Sequence, residues 1–178
     1  MVLPDWRIEE RAKLGMIKPF DKKRLSSYGY DMTLSSKFLI PKKSYQKELI
    51  IDPKNIATDS FEEYVGDHVI VPPNSFVLGK SVEYFMIPRE ILVICLGRST
   101  YARCGIITNV TPLEPEWEGV VTIEISNTNE LPAKVYAEEG ISQAVFLEAE
   151  DICRRSYRDK KGVYQKQLDI TLPNMKNN

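Results

Sequence analysis

What most restricts this chain is its punctuation. Apolar runs of a few residues, rich in β-branched side chains, are repeatedly cut off by proline or glycine before a long helix can form. Phe38 to Ile40 stops at Pro41, Leu49 to Ile51 lies just before Pro53, and His68 to Val71 stops at Pro72-Pro73. Proline has no amide to give to a ladder, so it belongs at edges and turns. Asp31 to Leu34, Phe76 to Leu78, Val82 to Met86, Ile91 to Leu96, Val120 to Ile125, Lys134 to Tyr136 and Ile141 to Leu147 extend the series. The pattern predicts a mainly β chain, folded as a sandwich, jelly roll or barrel. Trp6 to Lys13, behind Pro4-Asp5, predicts a short N-terminal helix, and the acidic stretch Ala57 to Asp67 reads as a surface loop or short helix. At 178 residues, one domain with a sizeable core is the default.

The chemistry concentrates between Ile91 and Asn127. Ile91 to Leu96 reads as a buried strand ending at Gly97. Ser99 suits a helix N-cap, and Thr100 to Arg103 suits one or two helical turns closed by Gly105, so Ser99 and Arg103, four apart, share a face. From Val120 to Ser126, Val121, Ile123 and Ile125 fall on one side of a strand, with Thr122, Glu124 and Ser126 on the other. A hydroxyl, a guanidinium and a mid-strand carboxylate are the parts of a proton-transfer site. They are equally the parts of an ion pair between Glu124 and Arg103 that merely satisfies both charges.

Charge and cysteine usage narrow the partners. A formal charge of −1 argues against a nucleic-acid or membrane-surface binder acting by bulk electrostatics. Cys95, Cys104 and Cys153 form no C-x-x-C pair, and their odd number suggests no disulfide framework. With no signal peptide and no apolar run long enough to span a bilayer, a soluble, cytoplasmic protein is expected. The segment from Asp151 to Asn178 carries seven Lys or Arg against three Asp, and by composition alone reads as a solvated, partly ordered terminus.

Arg98-Ser99-Thr100-Tyr101-Ala102-Arg103-Cys104-Gly105, Thr111-Pro112-Leu113-Glu114-Pro115-Glu116-Trp117-Glu118-Gly119 and Thr122-Ile123-Glu124 together resemble the dCTP deaminase family of the dUTPase-like superfamily. Ser27 to Asp31, Tyr84 to Pro88 and Glu139 to Gln143 extend the likeness over most of the chain. The resemblance implies a dUTPase-like distorted jelly roll or β-barrel, with a short N-terminal helix and a short helix after the central strand. Residues 1–150 would form the β-domain, and residues 151–178 an arm closing over the nucleotide. The implied reaction is hydrolytic deamination of dCTP to dUTP and ammonia, supplying dUTP for dUMP and thymidylate synthesis. Glu124 would then shuttle protons, Ser99 would hold the water or the exocyclic nitrogen, and Arg103 would orient Glu124. Arg98, Thr100, Thr122, Ile123, Gln143, Tyr157 and Gln167 fall at nucleotide-contacting positions, and the helix N-terminus at Ser99-Thr100 is itself a natural anion site.

No zinc is expected, because zinc-dependent base deaminases use His and Cys ligands in H-x-E and P-C-x-x-C patterns, and this chain has one histidine, His68, and no such cysteine pair. Magnesium is expected to arrive with the triphosphate rather than in a protein cage. The resemblance further implies a homotrimer with active sites between subunits. One departure is Val163, where the family often carries a lysine for the phosphates; Lys161 and Lys166 are the neighbouring candidates to replace it. Three alternatives stay open: a dUTPase, a bifunctional deaminase and diphosphatase in which Glu114 stands near the place of the dUTPase water-activating acid, and a non-catalytic nucleotide-binding domain.

Overall fold

In the computed structural model, which describes residues 1–42, 52–54, 56 and 58–174, the predicted helix is α1, Asp5–Lys13, and it buries Ile8 and Ala12. The strands before the central turn are β1 (Ile17–Lys18), β2 (Leu25–Ser26), β3 (Gly29–Thr33), β4 (Lys37–Pro41), β5 (Phe61–Val65), β6 (His68–Val71), β7 (Ser75–Met86) and β8 (Ile91–Gly97). After it come the one-turn helix α2 (Ser99–Ala102), β9 (Ile106–Asn109), β10 (Glu118–Asn127), β11 (Ala133–Tyr136) and β12 (Gly140–Glu148). The named strands all pair antiparallel. One sheet runs β5-β4-β7-β10-β9 with β1 also on β7, a second runs β2-β3-β12-β8, and β11 pairs with β6. Tyr30, Phe38, Phe85, Ile123, Ile125 and Phe146 are among the fully buried side chains that fill the core. Among the described residues no helix is long and apolar enough to cross a membrane.

Several expectations change. Phe76 to Leu78 and Val82 to Met86 belong to one strand, β7, whose middle bulges: its pairing with β10 shifts between Val120 and Thr122, leaving Ser81, Val82 and Glu83 opposite Val121 alone. Of the residues that looked like a break, Gly79 and Lys80 pair regularly with Ile123 and Thr122, and Ser81 opens the bulge. The stretch expected as loop or helix near Asp67 is a single 3-10 turn, Thr58–Ser60, followed by β5. This edge strand is largely exposed and carries Glu62 and Glu63, which hid its period. Leu49 to Ile51 lies outside the described residues, β1 and β2 are too short to signal themselves, and β9, at four residues, is not among the strands read from the sequence.

The bulge joins the two large sheets. Glu83 is 2% exposed, and its carboxylate accepts from the Thr33 amide at 2.9 Å, the Thr33 hydroxyl at 2.6 Å and the Tyr30 hydroxyl at 3.3 Å, all on β3. Burial pushes its carboxyl above the usual range, and the Thr33 and Tyr30 hydrogen bonds pull it back. The Ser81 hydroxyl donates to the Glu83 carbonyl at 2.6 Å and accepts from the Val121 amide at 2.8 Å. Removing the carboxylate strands three buried donors, so Glu83→Ala is expected to cost on the order of 3 kcal/mol in equilibrium urea unfolding. An unchanged midpoint would mean that the two sheets do not depend on this contact.

Candidate functional site

β8 ends at Gly97, and Arg98 takes the cap position of α2 in extended conformation, with φ −76° and ψ 140°. Ser99 was expected there; it is instead the first helical residue, and no side chain caps the turn. A guanidinium has only donors, so Arg98 cannot accept from the first free amides. Its side chain reaches back, pairing through Nε with Asp31 Oδ2 at 3.2 Å and donating from Nη1 to the Gly140 carbonyl at 3.1 Å. The Gln143 amide donates to the other oxygen of Asp31 and to the Ser26 hydroxyl, each at 3.1 Å. Arg98 and Gln143 are thus brought together through Asp31 on the second sheet. The turn closes through the Arg103 amide to the Ser99 carbonyl at 3.0 Å, and Gly105, at φ 68°, takes a conformation that side chains rarely adopt. Ser99, Thr100 and Arg103 are exposed.

Glu124 lies on the outward face of β10, opposite Leu78 of β7 and Asn109 of β9. It is half-buried and, among the described residues, makes no ion pair or hydrogen bond with another side chain. Burial pushes its carboxyl up to about 7, against the pull of its own backbone amide. Within one chain Arg103 does not meet it, so the mutually satisfying ion pair weighed from the sequence is not formed.

The outer edge of β10 is shared. Residues 124–127 pair with β9, while Gly119 forms a parallel bridge with Gln167 of the C-terminal segment. The Val120 amide donates to the Gln167 carbonyl at 3.0 Å, and the Gln167 side-chain amide donates to the Val120 carbonyl at 2.6 Å and the Thr122 hydroxyl at 3.3 Å. Between these two pairings, the backbone of Val121, Thr122 and Ile123 is paired with neither β9 nor the arm, although the Thr122 hydroxyl also accepts from the Thr171 amide of the arm at 3.3 Å. Thr122, Ile123, Glu124 and Gln167 therefore converge, apart from the Arg98–Gln143 group.

The described part of the C-terminal segment is folded onto the sheet rather than solvated. At its root, Arg89 binds Glu116 at 2.7 Å and Asp159 at 2.8 Å, and Ser156 is 1% exposed. Tyr157 staples the arm internally: its hydroxyl accepts from the Tyr164 amide at 3.0 Å, and its ring covers Gly162. At the tip, Asp169 reaches Lys37 at 2.7 Å and Lys80 at 3.1 Å. Burial opposes this carboxylate, yet the hydrogen bonds from Lys37, the Ile170 amide and Lys80 bring it down to about 2. The sequence reading missed Asp31, Arg89, Ser156 and Asp169; Asp31 stood in a quoted motif, whereas the others had no local signal.

Among the described residues no three His, Cys, Asp or Glu side chains converge as metal ligands. Burial pushes the Cys95 thiol to about 12, which leaves it inert, and His68 lies at a strand start against Asp67 at 2.6 Å.

The profile of the dCTP deaminase-like family matches residues 2–149. A dCTP deaminase of Acidobacterium capsulatum is 55% identical over 177 residues, covering 94% of this chain and 96% of its own. One of Methylococcus capsulatus is 54% identical, covering 94% and 95%, and one of Anaplasma phagocytophilum is 53% identical, covering 97% of each. A crystal structure of 2'-deoxycytidine 5'-triphosphate deaminase from Agrobacterium tumefaciens superposes with a TM-score of 0.66 at 16% identity, covering 82% of this chain. That likeness is one of fold, and the present chain spans 47% of the length of that one.

The tip of the arm rests on few contacts, with Asp169 central to them. Asp169→Asn is expected to speed tryptic cleavage at Lys166 several-fold while global thermal stability stays nearly constant. Equal cleavage rates would show that Asp169 does not hold the arm.

Proposed function

The chain belongs to the dCTP deaminase-like family, and we propose that it hydrolyses dCTP to dUTP and ammonia with Glu124 as the proton shuttle. The observation that carries this reading is the carboxyl of Glu124, unpartnered in a half-buried position and poised near neutrality beside an open strand edge. Its carboxylate takes a proton from water as the oxygen attacks C4 of cytosine. The same proton passes to the ring nitrogen, giving a tetrahedral adduct. A second transfer from the hydroxyl to the exocyclic nitrogen lets the C–N bond break and ammonia leave. Val121, Thr122 and Ile123 lie where a planar base can meet a strand edge, and Gln167 holds the arm beside it. In this assignment residues 151–174 act as the arm that closes over the nucleotide, with Tyr157 fixing its internal fold.

At the other end, Arg98, Gln143 and the free amides at Ser99 and Thr100 suit a triphosphate. Arg98 and the backbone amides only donate, and Gln143 donates through its amide to Asp31 and Ser26, so magnesium travels on the phosphate oxygens as part of the substrate. The unpaired cysteines suit a reducing cytoplasm, where such a reaction supplies dUTP toward thymidylate. Neither the dUTPase nor the bifunctional reading gains support, since the Glu114 carboxylate is engaged by Lys160 at 2.7 Å and Glu116 by Arg89 and Ser156.

Ser99 and Arg103 meet Glu124 only if a neighbouring copy supplies them, and we assign the active unit to a homotrimer with sites between subunits. Exposed apolar side chains flank α2, with Leu96 at 55% and Ile107 at 54%, as an interface there needs. There Ser99 holds the water or the leaving nitrogen, and Arg103 steers the Glu124 carboxylate.

Incubation with dCTP and magnesium is expected to yield dUTP and ammonia without pyrophosphate; release of pyrophosphate would overturn the monofunctional reading. Glu124→Gln should lower kcat by about a hundredfold or more with nucleotide binding retained, and near-normal turnover would remove its role. In the wild type kcat should fall as pH drops through about 7, because burial raises the carboxyl to that value and the base must be ionised to accept the proton of water. Mixing inactive Glu124→Gln and Arg103→Ala subunits and allowing exchange should restore activity if sites are shared. Persistent inactivity after demonstrated exchange would place the whole site in one chain.

A further inference from the structure

Gly140 lies under two guanidinium groups. A Cβ built on it would stand 2.8 Å from Arg98 Nη1 and 3.3 Å from Arg24 Nη1, so the two cationic nitrogens are no more than about 6 Å apart by geometry alone. Arg24 ends the 3-10 turn Lys22–Arg24 just before β2 and is anchored by donating from Nη2 to the Glu138 carbonyl at 2.7 Å. Asp31 is the one carboxylate ion-paired to this couple among the described residues: it binds Arg98 at 3.2 Å and also takes the Gln143 amide, whereas Arg24 has no acidic partner. Two like charges at this separation repel unless an anion sits between them. The glycine leaves the gap open, since any side chain at 140 would enter it. Arg24 is separated from Arg98 by more than seventy residues of sequence, which is why no motif connected them.

We propose that Arg24 and Arg98 form a two-guanidinium clamp over Gly140 that holds the triphosphate of the nucleotide, with Asp31 orienting Arg98 and the Glu138 carbonyl orienting Arg24. The clamp rests on the deaminase reading for the identity of its anion, but not for its geometry. Each arginine keeps donors free beyond its anchoring bond, and a polyphosphate has oxygens enough for both. The clamp binds substrate and transition state alike, since the phosphates lie away from C4, so its loss acts on KM rather than on kcat.

The test compares wild type, Arg24→Gln, Arg24→Lys and the control Lys23→Gln, at a neighbouring lysine whose side chain makes no hydrogen bond or ion pair among the described residues. Arg24→Gln is expected to raise KM for dCTP about tenfold with kcat within about twofold, and to weaken binding of inorganic tripolyphosphate by calorimetry to a similar degree. Arg24→Lys should recover part of the loss, because charge returns without the fork. Lys23→Gln should leave both readings unchanged. The clamp is refuted if folded Arg24→Gln, judged by an unchanged melting profile, binds tripolyphosphate like wild type, or if Lys23→Gln weakens binding equally, since bulk charge would then suffice. Should wild type bind tripolyphosphate in an Arg24-dependent way yet not turn over dCTP, the clamp stands and the assigned reaction falls.

Discussion

The contact on which the rest of this fold turns is a buried carboxylate at a strand bulge. Glu83 belongs to the sheet that carries β10, but its oxygens are spent on Thr33 and Tyr30 of β3, in the other sheet. A charge taken out of water is costly unless its lone pairs are occupied, and here they are. The cost of the bulge also returns a geometric gain. With Ser81 linking the Glu83 carbonyl to the Val121 amide, β7 takes up extra residues against β10 without losing its hydrogen bonds. Beyond that point Val121, Ile123 and Ile125 continue inward and Thr122, Glu124 and Ser126 outward. The bulge thus sets the register in which Glu124 lies opposite Leu78 of β7.

Glu83 and Glu124 make an informative pair. Both carboxyls are raised by burial, and both lie on neighbouring strands of one sheet. The first is surrounded by donors that lower it again; the second has only its own amide. A structural acid is one whose demands are met within the fold, and Glu83 fits that description. An acid left raised and unpartnered keeps a destabilising cost that the fold alone does not relieve, which is how a chemically competent group differs from a satisfied one.

Much of this was legible in the sequence. Period-two alternation from Val120 to Ser126 gave the facing of Glu124, and proline punctuation marked β4 and β6. Strand β8, which proves to be the edge of its sheet, the turn after it and the N-terminal helix fell where apolar runs and breakers put them. What escaped was non-local. A bulge looks like a strand end when its hydrogen bonds come from another sheet, as in β7. An edge strand such as β5 loses its alternation because charges protect it from pairing further. Arg89, Ser156 and Asp169 act only through partners distant along the chain, and Arg24 approaches Arg98 only because β2, β3, β12 and β8 lie side by side.

The arm shows a gradient of attachment that follows from the same accounting of polar groups. At the root, Arg89 donates to Glu116, Asp159 and the carbonyls of Cys153 and Arg154, and Ser156 is buried against Glu116. Loss of any member there strands others out of water, so the root is expensive to detach. Past Gly162, Trp117 still donates to the Tyr164 carbonyl and Gln165 to the Glu116 carbonyl, and beyond them the contacts become strand-edge hydrogen bonds from residues 166 and 167 and the partly exposed ion pairs of Asp169 with Lys37 and Lys80, each worth little against water. Backbone edges and exposed charges exchange readily with solvent; buried networks do not. If residues past Tyr157 close over a nucleotide as proposed, this gradient sets the tip to open first, uncovering the edge of β10 beside Glu124, while the root keeps the arm in register.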